Sequence, residues 1–285
     1  MESRNPVFSR RGFTPGNGYA GFNAAPQSGS ASYGNPYADN PYAQPTNPYA
    51  QGTPDLQYGM PQTAARTGVM TIDDVVSRTA LTLGAVVVMA AAAWALKLPV
   101  GVGFGAGLVA MVLGLVQSFK ARPTPALIIG YALCEGLFLG VVSQAYNQVA
   151  KGAPMQAVLG TMAVFAGVLI AYKTRLIRVN ARFQRFALGA AVGFLLLMLA
   201  NGLFAMFGGG DGLGFRSGGL GILAGIAGVL IGAMFLALDF KQVEDGVRYG
   251  APREESWLAA FGLTLTLVWI YTELLRLIAI LNSND

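Results

Sequence analysis

Seven long apolar runs, separated by short polar segments, occupy most of the chain after its first 70 residues. A helix needs roughly 17 to 25 apolar residues to cross the hydrocarbon core of a bilayer, and these runs have about that length. No run alternates polar and apolar residues with a period of two, which argues against a β-barrel. The runs are Thr79 to Leu96, Val100 to Phe119, Ala126 to Tyr146, Met155 to Tyr172, Phe186 to Phe207, Gly218 to Phe240 and Trp257 to Leu281. We therefore predict an all-α membrane protein with seven transmembrane helices.

The first 70 residues have a different composition. They are rich in Gly, Pro, Asn, Ser, Gln and Tyr and lack clustered aliphatic side chains that could form a core. The motif Asn-Pro-Tyr-Ala occurs three times, starting at Asn35, Asn40 and Asn47. We predict a disordered cytoplasmic tail over residues 1–70 and a transmembrane domain over residues 71–285.

The start of the first helix is marked by Thr71, Asp73 and Asp74. A threonine N-cap followed by acids in the first turn satisfies the free amide groups of a helix and complements its dipole. No basic and then apolar stretch with a small-residue cleavage site opens the chain, so we expect no cleaved signal peptide.

The composition narrows the function classes. Hydrophobic residues make up 54% of the chain and charged residues 12%, against about 25% charged residues in a soluble domain. The net charge of +5 resides in short loops rather than on one polar face, so we expect no nucleic-acid partner. Histidine is absent, which removes the usual metal ligand, and we expect no cofactor. The single cysteine, Cys134, lies in an apolar run and is interpreted as a packed apolar residue.

The basic residues of the loops predict the orientation, because short cytoplasmic loops retain more Lys and Arg than exported ones. With the N-terminus inside, twelve of them fall on the cytoplasmic side and three outside, and Asp285 is external. The twelve are Arg66, Arg78, Lys120, Arg122, Lys173, Arg175, Arg178, Arg182, Arg185, Lys241, Arg248 and Arg253, and the three are Lys97, Lys151 and Arg216. We expect a multi-pass protein of the inner (plasma) membrane with membrane lipid as its surroundings.

Glycines recur four residues apart within the runs, a spacing that lets helices approach closely. The pairs are Gly101 and Gly105, Gly103 and Gly107, Gly136 and Gly140, Gly221 and Gly225, and Gly228 and Gly232. A nucleotide loop is the alternative for residues 101–107, but neither the Rossmann spacing nor the Walker spacing is present. We interpret these glycines as packing positions.

Four charged residues lie within the apolar runs, namely Glu135, Asp239, Glu273 and Arg276. An ionised group at mid-bilayer costs at least about 2.5 to 3.5 kcal/mol, so such residues face the bundle interior with partners. Glu273 and Arg276 are three residues apart and share a helix face. Their pair either neutralises that helix or leaves a carboxylate that exchanges its proton near neutral pH. Asp239 is either a solvated helix-end charge or a functional acid, and Glu135 either a neutral hydrogen-bond donor or a further sensor.

No enzyme constellation is present in the sequence. The loops lack His, a serine with a base, a metal-ligand cluster and a nucleotide loop. Two intramembrane acids could indicate an aspartyl intramembrane protease, but one of them is Glu and the Gly-x-Gly-Asp setting is missing. We expect that the protein is not an enzyme.

Three stretches resemble the Bax inhibitor-1 (transmembrane Bax inhibitor motif) family, and in particular its bacterial YccA-like branch. They are Glu-Gly-Leu-Phe-Leu-Gly at 135–140, Leu-Ala-Leu-Asp-Phe-Lys-Gln-Val-Glu at 236–244 and the residues around Tyr-Thr-Glu-Leu-Leu at 271–275. The resemblance covers about residues 70–281. It implies a central last helix wrapped by the other six, and an acid pair that senses pH, with Asp239 and Glu273 in those positions.

The resemblance also implies a function and its partners. Family members are associated with a cation leak, chiefly of calcium, that closes when the two acids share a proton and bond to a basic latch. Lys120 or Arg122, at the end of the second run, would be that latch. The alternative is a non-transporting modulator that binds a membrane-anchored quality-control protease through its tail. Glu273 stands where the family more often has Asp.

Depth along the membrane separates the two acids. Glu273 lies sixteen residues beyond Trp257, or about 24 Å along a helix, which places it far from Asp239 at the inner face. The two can meet only if the last helix begins well below the membrane surface. Glu135 is otherwise the nearer partner of Asp239 in depth.

Overall fold

The computed structural model describes residues 68–208, 213–215 and 217–282. This part of the chain forms seven α-helices, each long and apolar enough to cross a membrane. They are α1 (Ile72–Ala95), α2 (Val100–Phe119), α3 (Pro125–Val149), α4 (Ala153–Lys173), α5 (Ala181–Gly208), α6 (Gly218–Arg248) and α7 (Glu255–Asn282). The predicted all-α fold with seven spans is confirmed. The tail repeats and Asp285 lie outside the described residues.

Two helices extend well beyond their apolar runs, each for a local reason. α1 begins seven residues before the apolar run because Thr71 and Asp74 form a capping box. The Asp74 amide donates to the Thr71 hydroxyl at 3.1 Å, and the Thr71 amide donates to the Asp74 carboxylate at 3.3 Å. α6 continues to Arg248, eight residues past Phe240, as a polar extension. The predicted N-cap is therefore confirmed, and the helices are longer than hydropathy alone indicates.

α7 occupies the centre of the bundle. It packs directly against α1, α3, α4 and α6, while α2 packs on α3 and α5 packs on α6. The two outer helices reach α7 through side chains. Ala110 of α2 joins the cluster around Phe261, and the ring of Phe194 on α5 lies 5.8 Å from that of Trp269. Four helices thus enclose the last helix and two complete the outer layer.

The contacts along α7 fix the relative direction of its neighbours. α1 and α3 run parallel to it, with Thr82 bonded to Thr264 at 2.9 Å and Ser143 bonded to Tyr271 at 2.6 Å. α6 runs antiparallel. The start of α1 therefore lies at the same end as the loops that precede α3, α5 and α7, and we call this the basic end. It carries those predicted cytoplasmic Lys and Arg residues that the structure describes, whereas Arg66 and Arg216 lie outside the described residues.

Residues 68–70 lie against the connection between α6 and α7. The Met70 amide donates to the Ala251 carbonyl at 2.8 Å, and the Arg253 amide donates to the Gly68 carbonyl at 2.7 Å. The Met70 side chain is buried beside Gly246. These three residues, just before the predicted boundary at residue 71, are thus held against the α6–α7 connection.

Two glycines bring α1 and α3 into backbone contact. A Cβ at Gly136 would overlap the Val86 carbonyl oxygen, and one at Gly140 would overlap the Ala90 carbonyl oxygen. The packing prediction for this pair is confirmed. It is wrong for Gly101 and Gly105, which have no neighbouring atom within 4 Å of a Cβ position, because they point away from the bundle.

We expect Gly136→Ala to force α1 and α3 apart and to cost about 1–3 kcal/mol, the usual price of overpacking. The measurement is the thermal unfolding of the purified chain in detergent. Gly105→Ala is the matched control, since it adds the same methyl group to a helix in open space and should raise or leave unchanged the melting temperature. Equal shifts for the two variants would contradict the close contact.

Candidate functional site

The polar side chains of α7 are distributed over the contacts with its neighbours. Ser256, Thr264 and Thr266 are buried, and so is Arg276, which is 4% exposed. Lipid offers no hydrogen bonds, so these groups need partners within the bundle. Ser256 and Thr264 bond to α1 and Thr266 bonds to α6, while Arg276 pairs with Glu273 of α7 and bonds to the segment before α6.

Asp239 lies in the interface between α6 and α7. The Thr266 hydroxyl donates to its carboxylate at 2.6 Å. Gly262 leaves room for the same carboxylate, since a Cβ there would be 3.4 Å from the second oxygen. Among the described residues, Asp239 forms no ion pair. A carboxylate thus sits between two packed helices with a neutral hydroxyl as its hydrogen-bond partner.

A cavity of about 680 Å³ lies at the basic end, between the start of α5, the end of α6 and the start of α7. Its wall includes the polar side chains of Asn180, Gln184 and Glu255 and the ion pair of Lys241 with Asp245, whose atoms are 2.6 Å apart. At its inner limit the cavity is lined by Leu238 of α6 and Ala259 of α7. The cavity therefore ends within about one helical turn of the carboxylate.

Glu273 and Arg276 form the ion pair that their spacing allows. A second guanidinium nitrogen of Arg276 donates to the Phe215 carbonyl oxygen at 3.3 Å, in the segment before α6. The Glu273 carboxyl occupies the space that a Cβ would take at Gly228 of α6. The geometry favours the structural interpretation of this pair, which neutralises both charges at the α6–α7 contact.

Asp239 and Glu273 are held apart. Glu273 is level with Gly228, and Asp239 follows eleven residues later on α6, a rise of about 16 Å. The contacts of α7 also separate the two acids, because Asp239 contacts Thr266, which lies seven residues before Glu273. The separation agrees with the depth estimated from the sequence, and the two carboxyls do not share a proton in this conformation.

Glu135 lies at the depth of Asp239 on a different side of α7. It shares a face of α3 with Tyr131, whose ring centroid is 5.2 Å from that of Phe261. Glu135 is partly buried and has no hydrogen bond or ion pair within the part of the chain that the structure describes. The backbones of α3 and α6 do not approach each other closely in the described part of the chain, and Glu135 and Asp239 form no hydrogen bond with each other there.

The suggested latch residues, Lys120 and Arg122 of the α2–α3 loop, lie away from both Asp239 and Glu273. The Lys120 ammonium donates to the Thr124 hydroxyl at 3.0 Å, and both Lys120 and Arg122 are exposed. Within residues 68–208, 213–215 and 217–282, neither contacts Asp239 or Glu273.

Arg78 is a partly buried basic contact that the sequence did not reveal. Its guanidinium donates to the Arg253 carbonyl at 2.6 Å and to the Ser256 hydroxyl, and it stacks 5.0 Å from the Trp257 ring. Next to it, Arg253 pairs with Asp74 at 2.7 Å. We call this group of five residues the clasp. The sequence signal for the clasp is Arg78, a basic residue two turns inside a capped helix. In the sequence, Arg78 was used only to predict the orientation in the membrane.

The described residues contain no group of three or more His, Cys, Asp or Glu side chains that could hold a metal ion.

Comparison with known proteins identifies one family. Residues 5–283 match the model of a family described as Bax inhibitor 1 like. The match covers nearly the whole chain and begins further toward the N-terminus than the resemblance in the sequence did. A search of curated proteins finds no match.

We expect Glu273→Gln to lower the free energy of unfolding by about 3–5 kcal/mol, because it leaves the Arg276 guanidinium buried without a counter-charge. Thermal unfolding in detergent measures the loss. The double variant Glu273→Gln/Arg276→Met should recover much of it, since neither charge remains. Glu254→Gln, the same change at an exposed position, is the control and should have little effect. A double variant less stable than the single one would contradict the neutralising role of the pair.

Proposed function

This chain belongs to the Bax inhibitor 1 like family and is a multi-pass membrane protein, and from that premise we propose a pH-sensitive leak channel or transporter for cations, calcium among them. Asp239 is the gating carboxylate. The observation that supports this assignment is a cavity at the basic end, lined in part by polar side chains, which ends about one turn from a carboxylate that has no ion-pair partner among the described residues.

The proposed gate works through the charge of Asp239. When Asp239 is protonated it is neutral, and the interface of α6 with α7 can stay closed around Gly262 and Thr266. When the proton leaves, a charge stands between packed apolar helices with one hydroxyl to stabilise it, which is unfavourable. A cation entering through the cavity compensates that charge, and so does water admitted by separation of the two helices. Higher pH on the side of the cavity therefore favours the conducting state.

The Glu273–Arg276 pair has a different part in this proposal. It is compensated internally and ties α7 to the segment before α6 through Phe215. We assign it the role of a fixed point, about which the basic half of the α6–α7 contact can open. The resemblance implied a gate made of two acids that share one proton. We propose instead that Asp239 alone acts as the gate.

We further propose that the basic end faces the cytoplasm, so that the cavity opens to it. The twelve-to-three distribution of loop Lys and Arg residues supports this orientation in an inner (plasma) membrane. Reporter fusions should then give a cytoplasmic signal at Met1 and an external one at Asp285. A cytoplasmic signal from both ends would contradict a seven-span topology.

We expect Asp239→Asn to hold calcium flux at its low-pH level, because asparagine is neutral at every pH. The measurement is dye-reported flux into liposomes that contain the full purified chain, compared with protein-free liposomes across pH 5 to 8. Wild-type flux should rise with pH over that range.

Asp73→Asn is the matched control, since Asp73 is an exposed acid in the first turn of α1. It should keep the pH profile of the wild type. An unchanged profile in Asp239→Asn would overturn the gating role. Absence of flux in the correctly oriented wild-type protein would overturn the leak function and leave the non-transporting modulator of a membrane-anchored protease as the alternative.

A further inference from the structure

A groove of about 1410 Å³ runs between α1 and α4 and adjoins the cavity at the basic end, with which it shares Val179 and Lys241 as lining residues. The backbones of α1 and α4 do not approach each other closely in the described part of the chain, which leaves the groove between them. Its floor is formed by α6 and by Leu263 of α7. Apolar side chains line most of its length, with Val76, Leu83, Phe165 and Leu169 on the two walls.

The groove has the depth of one membrane leaflet. Its lining on α1 runs from Ile72 to Leu83, eleven residues or about 16 Å of helix. The hydrocarbon core of a bilayer is about 30 Å thick, so one leaflet contributes about 15 Å. The groove begins at the basic end and stops near the middle of the spans. An occupant would therefore be an apolar chain that enters from the leaflet at the basic end.

The mouth of the groove is strongly cationic. It is lined by Lys173, Arg175, Arg178 and Arg248, all exposed, and these four form no ion pair with any described residue. A fifth, Lys241, is already paired with Asp245. Among the described lining residues the only acid is Glu244, which accepts a hydrogen bond from the Tyr172 hydroxyl.

The backbone fixes part of this cationic mouth. Arg175 has a φ angle of 59°, in the left-handed region that residues other than glycine seldom occupy. Its amide donates to the Tyr172 carbonyl at 3.0 Å and so closes the turn after α4. The turn carries Arg175 and Arg178 away from the axis of α4 at the level where headgroups lie.

From this combination of shape and charge we propose that the groove binds an anionic phospholipid of the leaflet at the basic end. One acyl chain lies between α1 and α4, and the phosphate lies among Lys173, Arg175, Arg178 and Arg248. Apolar walls of leaflet depth account for the chain, and four unpaired cations at headgroup level account for the preference for negative charge. The site does not depend on whether the protein conducts ions.

The test is native mass spectrometry of the full purified chain titrated with phosphatidylglycerol and, separately, with phosphatidylcholine of the same acyl chains. We expect tighter binding of phosphatidylglycerol. Arg175→Gln/Arg178→Gln should weaken it about 30-fold, at about 1 kcal/mol for each basic residue near a headgroup. The matched control is Arg182→Gln/Arg185→Gln, which removes two charges from the same end of the bundle at residues that do not line the groove. It should leave the affinity nearly unchanged.

A second pair of variants tests the acyl part of the site. Ala80→Trp fills the groove from α1 and should also weaken phosphatidylglycerol, whereas Ala91→Trp, at an exposed position of the same helix outside the groove, should not. Glycerol 3-phosphate, which has the phosphate without the chains, should fail to displace the lipid. Displacement by glycerol 3-phosphate would identify a site for soluble phosphates and overturn the lipid assignment. Equal losses of phosphatidylglycerol affinity in the two double arginine variants would show an effect of general surface charge and overturn the site. Equal affinity for phosphatidylglycerol and phosphatidylcholine would overturn the preference for an anionic headgroup.

Discussion

The absence of hydrogen-bond partners in lipid is the constraint on which this bundle depends. α7 is long and apolar, yet it carries hydroxyl and charged groups along its whole length, and each must be satisfied within the bundle, either on α7 itself or on a neighbouring helix. Thr264 meets α1, Tyr271 meets α3, and Thr266 meets α6. A helix with polar groups on so many sides can only be stable in the centre. Its position follows from these groups, while the outer helices α2 and α5 present mainly apolar surfaces.

The same constraint assigns different roles to the two acids of the last two helices. Glu273 is neutralised by a cation one turn away and lies against a glycine, so its charge is tolerated at a fixed depth. Among the described residues, Asp239 has the Thr266 hydroxyl as its hydrogen-bond partner and no ion pair, and it lies about one turn from the cavity at the basic end. In the proposed mechanism, this carboxylate can change its charge without disturbing the Glu273–Arg276 contact, which holds α7 to the segment before α6.

The elements that the sequence predicted well are those that depend on neighbours along the chain. The seven helices, the cap at Thr71 and the pair of Glu273 with Arg276 involve residues at most a few positions apart. The depth of the acids followed from counting residues at a fixed rise. The rotation of each helix about its axis, however, is only weakly encoded in runs that are apolar all round. For that reason Gly101 and Gly105 were assigned to packing, and neither Thr266 beside Asp239 nor Ser256 beside Arg78 was anticipated.

One turn of α6 connects the features of the basic half. Asp239 faces α7. Leu238 and Lys241 line the cavity at the basic end, and Phe240 lines the groove between α1 and α4. The clasp fixes the start of α7 to α1 through Arg78 and Asp74, so separation at Asp239 requires this part of α6 to move rather than α7. Such a movement changes the width of the groove, because Phe240 and Lys241 form part of its floor. A lipid chain in the groove must therefore favour some positions of this turn over others, and by the reciprocity of linked equilibria the charge of Asp239 must in turn affect how tightly the lipid is held.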